Sequence, residues 1–162
     1  MQTETSLLYQ NSNSNFMIQR IQTVYLLMAA LCSGCALFFP FFTGDTIPNV
    51  PIFADGVYNT QDHVSLMGVA TVAILDALMT VFLYKNRKQQ ALLSLFVAVA
   101  NIAFIAIMLV LLNSQMNFVD AIHKLHLGMG AIMPVLSVVF AIMARRSIVA
   151  DDRLVRSMDR LR

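Results

Sequence analysis

Four long apolar runs, each almost free of charge, leave this chain few ways to fold. They cover roughly 24–42, 64–83, 91–112 and 127–144, and Asp76 is the one charged residue inside them. At 1.5 Å rise per residue, about 20 helical residues cross a hydrocarbon layer roughly 30 Å thick. Backbone polar groups cannot be left unpaired in that layer, so such runs are read as helices. Only 12% of the chain is charged, against about 25% for a soluble domain. What remains between the runs is too short for a soluble domain. The expected fold is an all-α membrane protein, a four-transmembrane-helix bundle over 17–146, with a disordered tail at 1–16 and a basic amphipathic tail at 147–162.

The charges that do occur are placed asymmetrically. Tyr84-Lys-Asn-Arg-Lys-Gln-Gln90, between the second and third runs, holds Lys85, Arg87 and Lys88 and no acid. From Arg145 onward there are six arginines against Asp151, Asp152 and Asp159. The opposite side has Lys124 near the membrane and an acidic loop with Asp45, Asp55 and Asp62. Lys and Arg collect on the cytoplasmic side of short loops. Lys85, Arg87, Lys88, Arg145 and Arg146 are therefore the topology determinants, and both termini are expected in the cytoplasm. The partners this implies are the lipid bilayer and other membrane subunits met through the cytoplasmic face; nothing points to nucleic acid.

The loops carry local signals. Ile52-Phe-Ala and Val57-Tyr58 flank Asp55-Gly56, which predicts a short β-hairpin in the first external loop. Asp62 stands where a cap for the second span is needed. Asn117-Phe-Val-Asp120 has the form of a capping box with Asp in place of Glu. A helix starting there puts His123 and His126 on nearly one face. Such a pair suits a metal or haem, but no third ligand is specified and Lys124 lies between them; the alternative is a pair of interfacial histidines. Ala91, Ser94, Ala98 and Asn101 recur at spacings of three and four, marking one small-residue face of the third span.

Asp76 is the most conspicuous polar residue. An acid at mid-span costs about 2.5–3.5 kcal/mol on the insertion scale, which the apolar residues of its own run offset only marginally. It belongs inside the bundle, as a functional group or as a structural hydrogen-bonding one. Asn101 lies at a similar depth on an antiparallel neighbour, and the two are predicted to pair. Cys32-Ser-Gly-Cys35 has the spacing of a redox motif. It sits near mid-span with no second cysteine pair, which favours small residues at a close helix contact. No catalytic residue and no cofactor site is assigned.

In the basic tail, Leu154, Met158 and Leu161 alternate with Arg153, Arg156, Arg160 and Arg162. A topogenic signal alone has no need of interleaved apolar residues, so the tail is predicted to dock on a partner. Three stretches carry a family resemblance: Met17-Ile-Gln-Arg-Ile-Gln-Thr-Val-Tyr-Leu-Leu27, Phe82-Leu-Tyr-Lys-Asn-Arg-Lys88, and Asp152-Arg-Leu-Val-Arg-Ser-Met-Asp-Arg-Leu-Arg162. The chain resembles small, uncharacterised four-span inner-membrane proteins of Bacteroidota, grouped as a domain of unknown function. Members usually begin at the residue matching Met17, which makes Met17 an alternative start to Met1. The resemblance implies no activity. The function expected is a non-catalytic accessory subunit of a membrane assembly, for envelope biogenesis or protein export. The alternatives are a small proton-coupled transporter using Asp76 and Asn101, and a thiol or haem redox protein.

Overall fold

The structure, a computed structural model, describes residues 21–46, 53–83, 86–115 and 125–159. Among them the elements run α1 (Ile21–Cys35), β1 (Phe42–Gly44), β2 (Val57–Tyr58), a 3-10 turn (Thr60–Asp62), α2 (Val64–Phe82), α3 (Arg87–Gln115), β3 (Leu125–Leu127) and α4 (Met129–Asp159). Three helices are long and apolar enough to cross a membrane: α2, α3 and the Met129–Arg153 part of α4. The described part of α1 is apolar and shorter. α3 packs against both α2 and α4. The outward sides of the helices are apolar, with Leu31, Val72, Met79, Val99, Val110 and Val139 all exposed. The small-residue face predicted for α3 is the buried one, continuing from Ser94, Ala98 and Asn101 to Phe104, Met108 and Leu112.

The first run is not helical to its end. α1 stops at Cys35, and a turn follows in which the N–H groups of Phe38 and Phe39 donate to the Cys35 carbonyl at 3.1 and 3.0 Å. Pro40 has no N–H to extend the helix and biases Phe39 away from helical geometry. Phe42, expected at the end of a span, instead opens β1. Strand β1 lies in the middle of a three-stranded antiparallel sheet, order β2-β1-β3, with Phe42 opposite both Tyr58 and Leu127. The predicted hairpin is thus corrected: Val57-Tyr58 pairs with β1, and not with residues just before Asp55. Gly56 makes the turn, at φ +76, where an added Cβ would meet the Gly44 carbonyl oxygen at 2.7 Å. Asp55 Oδ1 accepts from the Val57 N–H at 3.1 Å and fixes the turn on its other side.

Asp62 does not cap α2. Its Oδ2 accepts from the Asn59 N–H at 2.6 Å, closing the 3-10 turn, and His63 occupies the position before α2. Burial pushes the Asp62 carboxyl up, a push opposed by the Asn59 N–H and reinforced by Asp55.

The fourth run begins later and ends later than its hydropathy suggests. Leu127 belongs to β3, and α4 continues without interruption from Met129 to Asp159. The tail expected at 147–162 is helical as far as it is described, to Asp159, and continues the fourth helix directly through Arg146. No Gly or Pro lies between Pro134 and Asp159 to stop the helix, and Ala141, Ala144 and Ile148 keep one face buried across Arg145-Arg146. At 1.5 Å per residue α4 is roughly 46 Å long, well beyond a hydrocarbon core.

The core has two halves. At the sheet end Phe41, Phe53, Tyr58 and Phe104 are buried with Leu66, Met108 and Leu112. Phe41 meets Tyr58 and Phe104 edge-on, with ring centroids 5.3 and 5.6 Å apart. At the tail end the buried cluster is Ala29, Ala30, Ala77, Ala98 and Ala141 around Val97. Gly128 and Gly130 join the sheet end to α4. Their N–H groups donate to the Phe41 and Pro40 carbonyls at 2.8 and 2.9 Å. A Cβ on either would run into the Phe39–Phe41 backbone.

Candidate functional site

Polar groups enter the apolar bundle at two levels. The first lies between the two core clusters. Ser33 on α1 donates to Asn101 Oδ1 on α3 at 3.0 Å. The Ser33 and Ser137 hydroxyl oxygens are 2.8 Å apart, and Ser137 Oγ lies 2.9 Å from the Ala29 carbonyl. All three side chains are buried. Each hydroxyl has one proton. Two protons thus serve three oxygen–oxygen contacts, and one contact is always without a hydrogen. Asn101 Nδ2 donates to the Val97 carbonyl at 2.9 Å, so its oxygen and one N–H are both engaged. This layer ties α1, α3 and α4 together.

The predicted Asp76–Asn101 pair does not form. Asn101 instead bonds through its side chain to Ser33 and the Val97 carbonyl. Asp76 is half-buried at the edge of the buried face of α2. Its carbonyl accepts from Thr80 Oγ1 at 2.7 Å, while its carboxylate has no hydrogen bond among the described residues. Rotation about the helix axis decides pairing, and position along the run does not report it. Ser33, between Cys32 and Cys35, is the residue of that motif that bonds. The two cysteines are free thiols, Cys32 buried and Cys35 partly so. Ser33 faces the neighbouring helices, whereas a Cβ added at Gly34 would meet nothing within 4 Å.

The second polar level is at the tail end. Arg87 Nη1 stands 2.8 Å from Asp151 Oδ2, with the Asp151 side chain 7% exposed and that of Arg87 29% exposed. Neither atom has a partner of hydrogen-bond geometry, so the contact is charge on charge. Beside it on the chain, Gln90 Nε2 donates to the Thr80 carbonyl at 3.3 Å, joining α3 to α2. Gln22 Nε2 donates to the Ser147 carbonyl at 3.2 Å, joining α1 to α4. Arg87 also stands in the first turn of α3, where a cation opposes the helix dipole. Asn86 precedes it and its Oδ1 lies 3.4 Å from the Gln89 N–H. Arg87 is therefore a packing residue as well as a charge in the hinge. Asp151 was legible in principle: Ala144, Ile148 and Asp151 fall at helical spacing on one face once α4 is seen to be continuous.

A cleft of about 380 Å³ opens between α3 and α4 at this end, lined by Arg145, Arg146 and Arg153 together with Leu95, Ala98 and Ile142. All three arginines are exposed. Lys88 is exposed; Lys85, Arg160, Leu161 and Arg162 lie outside the described residues, as do the side chains of Leu154, Arg156 and Met158. His123 and the Asn117–Asp120 capping box also lie outside them. His126 is exposed on β3, not on a helix, which removes the helical geometry on which the His123–His126 pair was predicted. Among the described residues, no three His, Cys, Asp or Glu side chains converge as a metal site.

A family described as a domain of unknown function, DUF4293, matches residues 18–161. The chain belongs to the DUF4293 family. No curated protein and no solved structure matches it. The DUF4293 match spans the bundle, the sheet and all of α4, so the continuous basic helix lies within the family's own extent.

Proposed function

We propose that this DUF4293 protein is a four-span protein of a bacterial inner membrane, of the kind its resemblance to Bacteroidota proteins implies, with both ends in the cytoplasm. Its proposed role is that of a non-catalytic accessory subunit, which presents a fixed basic face to a larger envelope or export assembly. The observation that carries this reading is the continuity of α4. Arg153 and Arg156 do not hang on a linker; they stand on a helix whose other end is part of the bundle and which Asp151 ties to Arg87. A rigid basic projection costs less ordering entropy on docking than a flexible tail would. The docking residues proposed are Leu154, Arg156, Met158, Arg160, Leu161 and Arg162.

Affinity purification from detergent-solubilised membranes tests this. Deleting Leu154–Arg162 should leave the protein abundant in membranes and remove its stoichiometric partner. Replacing the tail arginines with lysine should weaken recovery, because lysine lacks the planar fork that binds carboxylates in two places. Equal recovery with lysine would reduce the interaction to plain charge attraction. The unbonded carboxylate of Asp76 favours a second reading, a proton or ion role. An Asp76→Asn protein present at normal levels but without biological activity would establish that reading over the first.

A further inference from the structure

The accessory reading makes no use of the cleft between α3 and α4. Its chemistry is specific. Arg145, Arg146 and Arg153 supply cationic groups at one end, and the lining contains no carboxylate. Leu95, Ala98 and Ile142 supply an apolar wall on the side toward the bundle. Ile142, Arg146 and Arg153 follow at helical spacing, so the apolar wall leads directly into the charged rim along one face of α4. Of the two acids just before Arg153, Asp151 points the other way, into the seam with Arg87, and Asp152 is half-buried and does not line the cleft. The cleft thus has one end for an anion and one for hydrocarbon.

We infer that this cleft is a binding site for a single anionic phospholipid, with the headgroup phosphate on Arg145, Arg146 and Arg153 and an acyl chain against Leu95, Ala98 and Ile142. Arginine forks match phosphate oxygens in pairs. A basic pocket between membrane helices on the cytoplasmic side is where such headgroups are held. A free phosphate would gain nothing from the apolar wall, and an acidic protein segment would leave that wall uncovered. The site rests on the membrane reading of α3 and α4. It assigns Arg153 to lipid, apart from the arginines beyond it.

Native mass spectrometry of the full-length protein, released from detergent with phosphatidylglycerol or phosphatidylcholine added, tests the site. Phosphatidylglycerol should be retained in one copy in preference to phosphatidylcholine. Arg153→Gln keeps Arg145 and Arg146 for orientation, and should reduce that retention roughly fivefold. Val149→Phe fills the cleft without altering charge and should reduce it as well, whereas general surface attraction would be indifferent to it. Glycerol phosphate, which has the headgroup anion and no acyl chain, should not compete. Wild-type retention in both variants overturns the site. Competition by glycerol phosphate reduces it to an anion patch and overturns the lipid assignment. Loss of retention in Arg153→Gln alone does the same, in favour of a charge contact without a cleft. The membrane reading fails separately, if the protein is recovered from cells without detergent.

Discussion

The two ends of the bundle are held together by different physics. At the sheet end four aromatic side chains are buried, and the backbone from Phe39 to Gly44 is fastened to β2, β3 and the start of α4 by hydrogen bonds. Tyr58 adds a bond from its hydroxyl to the Met108 carbonyl at 3.3 Å, and Thr60 one to the Ala36 carbonyl at 2.6 Å. At the tail end the buried residues are mostly alanines, so the helices come close but each side chain contributes little area. There the connections are Gln22 to Ser147, Gln90 to Thr80 and Arg87 to Asp151. The sheet end is locked by shape. The tail end is joined by long polar side chains and one ion pair, and is the end that salt and charge substitutions should reach.

The largest effects are expected at the sheet end. Phe41→Ala removes the ring between Tyr58 and Phe104 and should cost about 3–5 kcal/mol, read as a drop in the thermal midpoint in detergent. Gly130→Ala should cost about 3 kcal/mol, since its Cβ would meet backbone atoms that cannot rotate away. Neither loss should depend on ionic strength. At the tail end Arg87→Ala should cost about 2 kcal/mol, between the values for exposed and buried pairs, because it strands Asp151. Arg87→Ala combined with Asp151→Leu should recover most of that loss, and the double variant should lose the native protein's sensitivity to salt. A tail end as salt-insensitive as the sheet end would erase the contrast.

The smallest effect concerns pH. Burial raises the Asp62 carboxyl in the folded protein. Across the interval between its unfolded and folded values the folded state binds more protons, so stability rises as the pH falls through it and declines as the pH rises. Asp62→Asn should change the stability at neutral pH by only about 0.5 kcal/mol or less and should abolish this small acid-side gain. An unchanged pH profile in Asp62→Asn would assign the gain elsewhere.

Much of the bundle was legible in its sequence because hydropathy and helical spacing are local. The runs at 64–83 and 91–112 reappear as α2 and the core of α3, and the Ser94–Ala98–Asn101 face is buried as its spacing implies. What was not legible depends on contacts distant in sequence. Leu125–Leu127 is too short to declare itself a strand, and its partner β1 is some 80 residues away. Arg87 meets an acid 64 positions later, and a residue that looked like a charge signal proves to be part of the packing. A lone serine in an apolar helix gives no sign of what it faces, so neither Ser33 nor Ser137 declares its place in the polar layer. The Asp76–Asn101 prediction failed for the same reason.

In the topology we propose, these two ends face opposite sides of one membrane, the aromatic sheet outward and the basic helix inward. Single cysteines at Asp55, Lys88 and Ser157, in a protein with Cys32 and Cys35 replaced by alanine, test it directly with a membrane-impermeant thiol reagent. In intact spheroplasts the cysteine at 55 should be labelled, and those at 88 and 157 only after the membrane is permeabilised. Labelling at 88 or 157 in intact spheroplasts, with 55 protected, would contradict the account.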